Sequence, residues 1–269
     1  SGRVYFPIMG GVREPAVAGL FYPGASDQLR TTIESYLAAA EFAGGSPKAL
    51  VAPHAGYVYS GPVAAAAYVS LVEARETVRR VVLLGPAHRM ALAGMAISSA
   101  TAFSTPLGEV PVDAEAFEIA KAVPNVRVFD APFEDEHSLE VQLPFLQVVL
   151  DDFRVLPVLV GQTPPESVAS LIDALWGGEE TRIIVSSDLS HYHAYETARQ
   201  IDQHTAELVE TLRLEELTSE HACGCHPLRG LLEVARTRGL LVHAVDLRNS
   251  GDTAGPRSRV VGYGSFLVG

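Results

Sequence analysis

Three of the chain's nine histidines stand where an apolar run gives out. Ala49-Leu50-Val51-Ala52-Pro53 ends in His54, Val81-Val82-Leu83-Leu84-Gly85-Pro86-Ala87 ends in His88, and Ile183-Ile184-Val185-Ser186-Ser187-Asp188 leads to His191. Imidazole ligates transition metals and changes charge near neutral pH. Three of them delivered to one place would form a metal or an acid–base site. A sheet of mostly parallel strands has such a place, outside the carboxyl ends of its strands. Histidines on neighbouring strands sit about 5–10 Å apart, within reach of one ion. Taken singly, each is as readily a turn residue in water.

Other residues add to this pattern. In Ser187-Asp188-Leu189-Ser190-His191-Tyr192-His193 a carboxylate precedes an imidazole by three positions. Asp188 there either orients His191 and fixes its tautomer or caps a helix; His193 has the weaker claim to a role. Pro53-His54-Ala55-Gly56-Tyr57 and Gly85-Pro86-Ala87-His88-Arg89 are tight turns, and Arg89 beside His88 suits an anionic substrate or plain solvation. Asp135-Glu136-His137-Ser138-Leu139-Glu140 reads as the charged first turn of a helix. It also offers His137 and Glu140 as metal ligands, substrate contacts or supports for the ligands. Cys223-Gly224-Cys225-His226-Pro227 holds both cysteines. Ahead of a helix starting at Pro227 a thiolate would be favoured by the dipole; the plain alternative is a small buried apolar residue.

The elements that must position these groups alternate along the chain. The pattern predicts strands at Ala49–Ala52, Arg80–Leu84, Met95–Ser98, Val126–Phe129, Arg154–Leu159, Arg182–Ser186, Leu241–Leu247 and Arg259–Val268. It predicts helices at Asp27–Ala40, Gly61–Glu73, Ala114–Ala122, His137–Leu150, Pro164–Leu175, Tyr195–Leu212 and Pro227–Thr237, with Ser26 and Thr163 as caps. Ala198, Ile201, Thr205, Leu208 and Leu212 form one helical stripe. Strands alternating with helices give an α/β single domain over 1–269: a central, mostly parallel sheet with some antiparallel strands and helices on both faces. The short Asn249–Pro256 connection makes the last two strands antiparallel neighbours. Residues 1–10 read as a tag remnant or a flexible N-terminus.

Composition limits the function classes. A net charge of −12 argues against nucleic acid and anionic membrane as partners. Two cysteines one residue apart do not make a secreted disulfide scaffold, and together with the absence of a signal-like start they point to a reducing, cytoplasmic setting. No apolar stretch reaches the roughly 20 residues of a membrane span. Phosphate-loop, dinucleotide, zincin and nucleophile-elbow signatures are absent.

Read together, the motifs resemble the Memo family, also called AmmeMemoRadiSam system protein B. They run from Arg13-Glu14-Pro15-Ala16-Val17-Ala18-Gly19-Leu20-Phe21-Tyr22-Pro23 through the histidine turns, Thr105–Asp113, Asp135–Glu140, Ser187–His191 and Cys223–Pro227 to Asn249–Asp252 and Ser258–Tyr263. That family is similar in fold to the class III, LigB-type extradiol dioxygenases, in which two histidines and a glutamate hold Fe(II) and another histidine serves as acid–base. The resemblance implies His54 and His88 as ligands, Cys223 where the dioxygenases use glutamate, and His191 with Asp188 as the catalytic pair. It implies Fe(II), with Cu or Zn as alternatives, a dioxygenase-like redox enzyme, and association with radical-SAM and AMMECR-like proteins. A thiolate in place of a carboxylate softens the site toward Cu(I) or Zn(II) and exposes the ligand to oxidation. Tyr57, Arg89, His137 and Glu140 are expected either to contact the substrate, a small molecule or peptide, or to support the ligands from behind. The alternatives are a non-catalytic protein that binds peptides, phosphotyrosine peptides included, in the same cleft, a metal-handling protein, and a zinc hydrolase.

Overall fold

The computed structural model describes residues 10–42 and 44–269, so the expectation for 1–10 lies, apart from Gly10, outside the described residues. In chain order the strands are β1 (Val12–Arg13), β2 (Ala49–Ala52), β3 (Arg80–Pro86), β4 (Met95–Ile97), β5 (Ala102–Thr105), β6 (Gly108–Pro111), β7 (Val126–Val128), β8 (Arg154–Val160), β9 (Thr181–Ser186), β10 (His191–His193), β11 (Val242–Asn249) and β12 (Val260–Val268). The α-helices are α1 (Ser26–Ala39), α2 (Tyr57–Tyr68), α3 (Ala114–Lys121), α4 (Leu143–Val149), α5 (Pro165–Ala174), α6 (Tyr195–Glu210), α7 (Cys225–Arg238) and α8 (Ser250–Thr253).

The main sheet has nine strands in the order β10-β12-β2-β9-β3-β8-β4-β7, with β11 also on β12. Its centre, β2-β9-β3-β8, is parallel. The middles of these strands are continuously apolar because both faces are covered. Alternation decides which residue goes where: Val51, Val82, Leu84, Ile183 and Val185 face α3, α5, α6 and α7, while Leu50, Val81, Leu83 and Ile184 face α1, α2 and α4. A one-residue slip in any of them would exchange the two cores.

The expected antiparallel strands lie at the flanks, and they include the expected pairing of the last two strands. Strand β12 runs antiparallel to β2, β10 and β11, and β4 runs antiparallel to β8. The sheet is therefore parallel at its centre and mixed at its flanks. A separate sheet of β1, β5 and β6 was not expected, because β1 is two residues long and carries no readable alternation.

Several boundaries shift for identifiable reasons. Helix α1 is capped by Ala25 with no side-chain bond, and Ser26 is its first residue. Helix α5 starts at Pro165, which holds Pro164 extended at ψ 143 and leaves the Thr163 hydroxyl without a capping role. The helix expected from His137 begins only at Leu143, with Pro144 in its first turn where proline is accommodated. The preceding residues instead form a tight 3-10 turn, Glu140–Gln142, and supply partners to the cleft described next.

Candidate metal centre

Strands β2, β9 and β3 are adjacent and parallel, so their following turns emerge at one edge. His54 and His88 come from the outer two and meet with ring centroids 5.1 Å apart. Cys223, from the segment leading into α7, puts Sγ 3.3 Å from His54 Nε2. One donor atom each from His54, His88 and Cys223 fall within 4.8 Å of one another. Metal–nitrogen and metal–sulfur bonds of about 2.0–2.3 Å at tetrahedral angles require donors about 3.6 Å apart, so small side-chain movements close this set on one ion.

The ring nitrogens are not free to exchange roles. Ser186 Oγ donates to the Ser138 carbonyl at 2.5 Å and accepts from Gln142 Nε2 at 2.8 Å. Its only proton is thereby committed, and His54 Nδ1, 2.9 Å away, must be the donor to it. His88 Nδ1 lies 2.9 Å from Glu136 Oε1. That carboxylate also accepts the His137 and Ser138 amides at 2.9 and 2.8 Å. Burial alone would raise its pKa, but the His88 ring and the His88 and Ser138 amides outweigh burial and hold it down at about 2. An ionised Glu136 makes His88 Nδ1 the donor as well. Both rings therefore offer an Nε2 lone pair, the arrangement in which histidine binds metal while its other nitrogen is anchored.

Burial, with His88 adding to it, pushes the His54 pKa down to about 3. Burial and neighbouring His54 take His137 to about 4. These rings stay neutral at pH 7, each keeping a nitrogen lone pair. Cys223 behaves otherwise: burial and the nearby Asp188 raise its thiol well above the usual value. The dipole effect expected from α7 is outweighed, and the helix itself begins at Cys225 rather than Pro227. A bound cation reverses such a preference, since a ligating thiol is deprotonated.

Backbone contacts fix the cysteine. Cys223 N donates to the Asp188 carbonyl at 3.2 Å and Gly224 N to Ser187 Oγ at 2.9 Å. A Cβ on Gly224 would lie 2.7 Å from the Ser187 side chain and 2.8 Å from the Ser186 carbonyl, so only glycine allows this approach.

Asp188 does not do what its spacing suggests. Its Oδ1 accepts the His54 amide at 2.7 Å and its Oδ2 is 4.0 Å from His54 Nε2. His191 is held by the Leu189 carbonyl, 2.8 Å from Nδ1. The carboxylate thus holds the His54 turn, and a main-chain oxygen sets the His191 tautomer. Asp188 caps no helix either; β10 follows it.

Above the cluster opens a cleft of about 570 Å³ lined by His54, His88, Arg89, His137, Asp188 and His191. His137 stacks on His88 at 4.9 Å and 17° and meets His54 edge-on at 5.5 Å. Two expected cleft residues are elsewhere. Tyr57 is buried, its hydroxyl donating to the Val141 carbonyl at 2.6 Å and its ring packed on Phe145. Glu140 is buried with Arg13 and accepts the Ala16 and Val17 amides and the Tyr22 hydroxyl. Both serve as packing and anchoring groups. Conversely, Ser186 and Glu136, which aim the His54 and His88 rings, and Tyr59, Tyr192, Tyr263 and Arg259, which line the cleft, are not residue types that mark a site by themselves, although all but Tyr59 lie within the runs and motifs quoted above.

This is an α/β protein with an imidazole–thiol cluster at the carboxyl edge of its sheet. Residues 13–267 match the model of the Memo-like protein family, and the chain belongs to that family. A MEMO1 family protein of Aquifex aeolicus (strain VF5) is 36% identical over 266 residues, covering 94% of this chain and 97% of its own length. One from Methanosarcina barkeri is 35% identical over 273 residues, covering 96% and 100%. Among solved structures, the uncharacterized protein JW3007 from Escherichia coli K12 is similar with a TM-score of 0.47 and 14% identity, over 82% of this chain and 99% of that one. Among the described residues no helix is long and apolar enough to cross a membrane.

Proposed function

We propose that the cleft is a metal centre in which His54, His88 and Cys223 hold one ion, Fe(II) before Cu or Zn, and that the protein is a dioxygenase-like redox enzyme. One observation carries this reading. Both imidazoles have Nδ1 committed to a fixed acceptor, so two Nε2 lone pairs and one sulfur converge. Such an ion supplies Lewis acidity and, if iron or copper, electrons for oxygen or substrate chemistry.

The chain's own residues do the rest. Glu136 and Ser186 hold the ligand rings. His191, whose Nδ1 is anchored on Leu189, turns Nε2 to the proton-transfer task. Asp188 is the single carboxylate in the lining, whereas Arg89 and Arg259 both line the cleft in a chain of net charge −12. That local reversal of sign favours an anionic substrate, small molecule or peptide. The thiol ligand favours a second reading, metal handling, because sulfur suits Cu(I) and Zn(II).

Metal analysis after anaerobic Fe(II) loading tests the centre. About one ion per chain is expected, with loss in His54→Ala and Cys223→Ser; unchanged metal in both variants would refute it. Oxygen uptake by the loaded protein with a substrate panel, slowed in His191→Ala while metal is retained, separates an oxygenase from a metal-handling protein.

A further inference from the structure

Asp202 is a buried carboxylate, 2% exposed, on the sheet-facing side of α6, and the site just described does not use it. Burial raises its pKa, and an apolar residue at this place would avoid that cost. Its contact is specific: Asp202 Oδ1 accepts the Ser190 amide at 3.0 Å. Ser190 lies between Leu189, whose carbonyl anchors His191 Nδ1 at 2.8 Å, and His191 itself.

The same turn is pinned from its other side by β12. Leu189 N donates to the Gly262 carbonyl at 2.8 Å, and Gly262 N to the Ser190 carbonyl at 2.8 Å. Gly262 also faces Asp202, since a Cβ there would lie 2.1 Å from Asp202 Oδ2. Only glycine lets carboxylate, turn and strand meet. Immediately after His191, Tyr192 adopts φ +66°, and the pairing of His191 and His193 with β12 is irregular at that point. A non-glycine residue in the left-handed region is strained and persists where its surroundings over-determine it.

We infer that Asp202 and Gly262 form a clamp that positions His191: the Asp202–Ser190 bond holds the Leu189 carbonyl where it fixes the His191 Nδ1–H tautomer and aims Nε2 into the cleft. Asp202 touches neither ligand nor cleft chemistry and acts through the turn. The inference rests on the reading of His191 as the proton-carrying group.

The test is ¹⁵N NMR of histidine-labelled, metal-free protein, with the His191 signals assigned by their loss in His191→Gln. The native protein should show His191 as the Nδ1–H tautomer. Asp202→Ala should shift it to a mixture of tautomers while the His54 signals stay in place. Asp202→Asn, which keeps an acceptor oxygen for the Ser190 amide, should restore the native signal. Gly262→Ala should reproduce the Asp202→Ala shift and decides the matter if Asp202→Ala does not fold. An unchanged His191 tautomer in folded Asp202→Ala, or in Gly262→Ala, would overturn the clamp. Because no metal is present, the outcome is independent of metal content. Failed metal uptake with the predicted tautomer shift sinks the metal centre alone, and intact uptake with no shift sinks the clamp alone.

Discussion

Glu136 and Glu140 stand four residues apart, are both almost fully buried, and do opposite work. Glu136 turns toward the cleft, where it takes the His88 ring and three backbone amides, those of His88, His137 and Ser138. Glu140 turns away and ties the N-terminal segment down through Arg13, the Ala16 and Val17 amides and the Tyr22 hydroxyl. A buried carboxylate needs a partner. Glu136 has a cleft imidazole as its partner, whereas Glu140 has a guanidinium that also holds the Phe133 carbonyl, and that difference of partner separates a residue that orients a cleft ring from one that holds a fold. The two regions are still joined. Arg13 also donates to the Glu136 carbonyl at 2.6 Å, so the knot supports the loop carrying the ligand's anchor.

The comparison predicts that the two glutamates separate by readout. Glu140→Gln should give the largest effect, a stability loss of about 3–5 kcal/mol in urea unfolding, because it leaves Arg13 buried without its counter-charge; a loss below about 1 kcal/mol would mean that the knot is incidental. Glu136→Gln should lose less stability and weaken metal affinity about 10–100-fold in chelator competition, as removal of a ligand's anchor does. Equal affinity in Glu136→Gln and the native protein would erase the distinction.

A third variant supplies a control from the opposite end of the sheet. Asp113 caps α3 by accepting the Ala116 amide and pairs with Arg80. Burial pushes its pKa up, but Arg80 and the Ala116 amide outweigh this and leave it below the usual value. A carboxyl depressed in the folded state stabilises above its unfolded pKa of about 3.9 and stops doing so as pH falls through the folded value. Asp113→Ala should therefore cost about 1 kcal/mol at pH 7. The gap to the native protein should close as pH falls below about 4, with metal affinity unaffected throughout.

The parts of this arrangement legible in the sequence are those carried by local pattern. Apolar runs ending in Pro-His or Ala-His marked β2 and β3 and the edge where His54 and His88 emerge. What escaped depends on which side of a turn faces which neighbour. Asp188 precedes His191 by three residues yet bonds His54, 134 positions away. Ser186 reads as one more residue of a buried strand, and only the three-dimensional meeting with Ser138, Gln142 and His54 fixes a tautomer there. Tyr57 directly follows Gly56 in the turn that carries His54, but α2 begins at it and carries its ring into the core.

X-ray absorption at the edge of the bound metal addresses the central claim most directly. Protein loaded anaerobically with Fe(II) or Zn(II) should show one sulfur at about 2.3 Å together with nitrogen scatterers at about 2.0–2.1 Å, and Cys223→Ser should lose the sulfur shell. A metal bound with oxygen and nitrogen neighbours alone, and no sulfur in the native protein, would contradict a centre built from His54, His88 and Cys223.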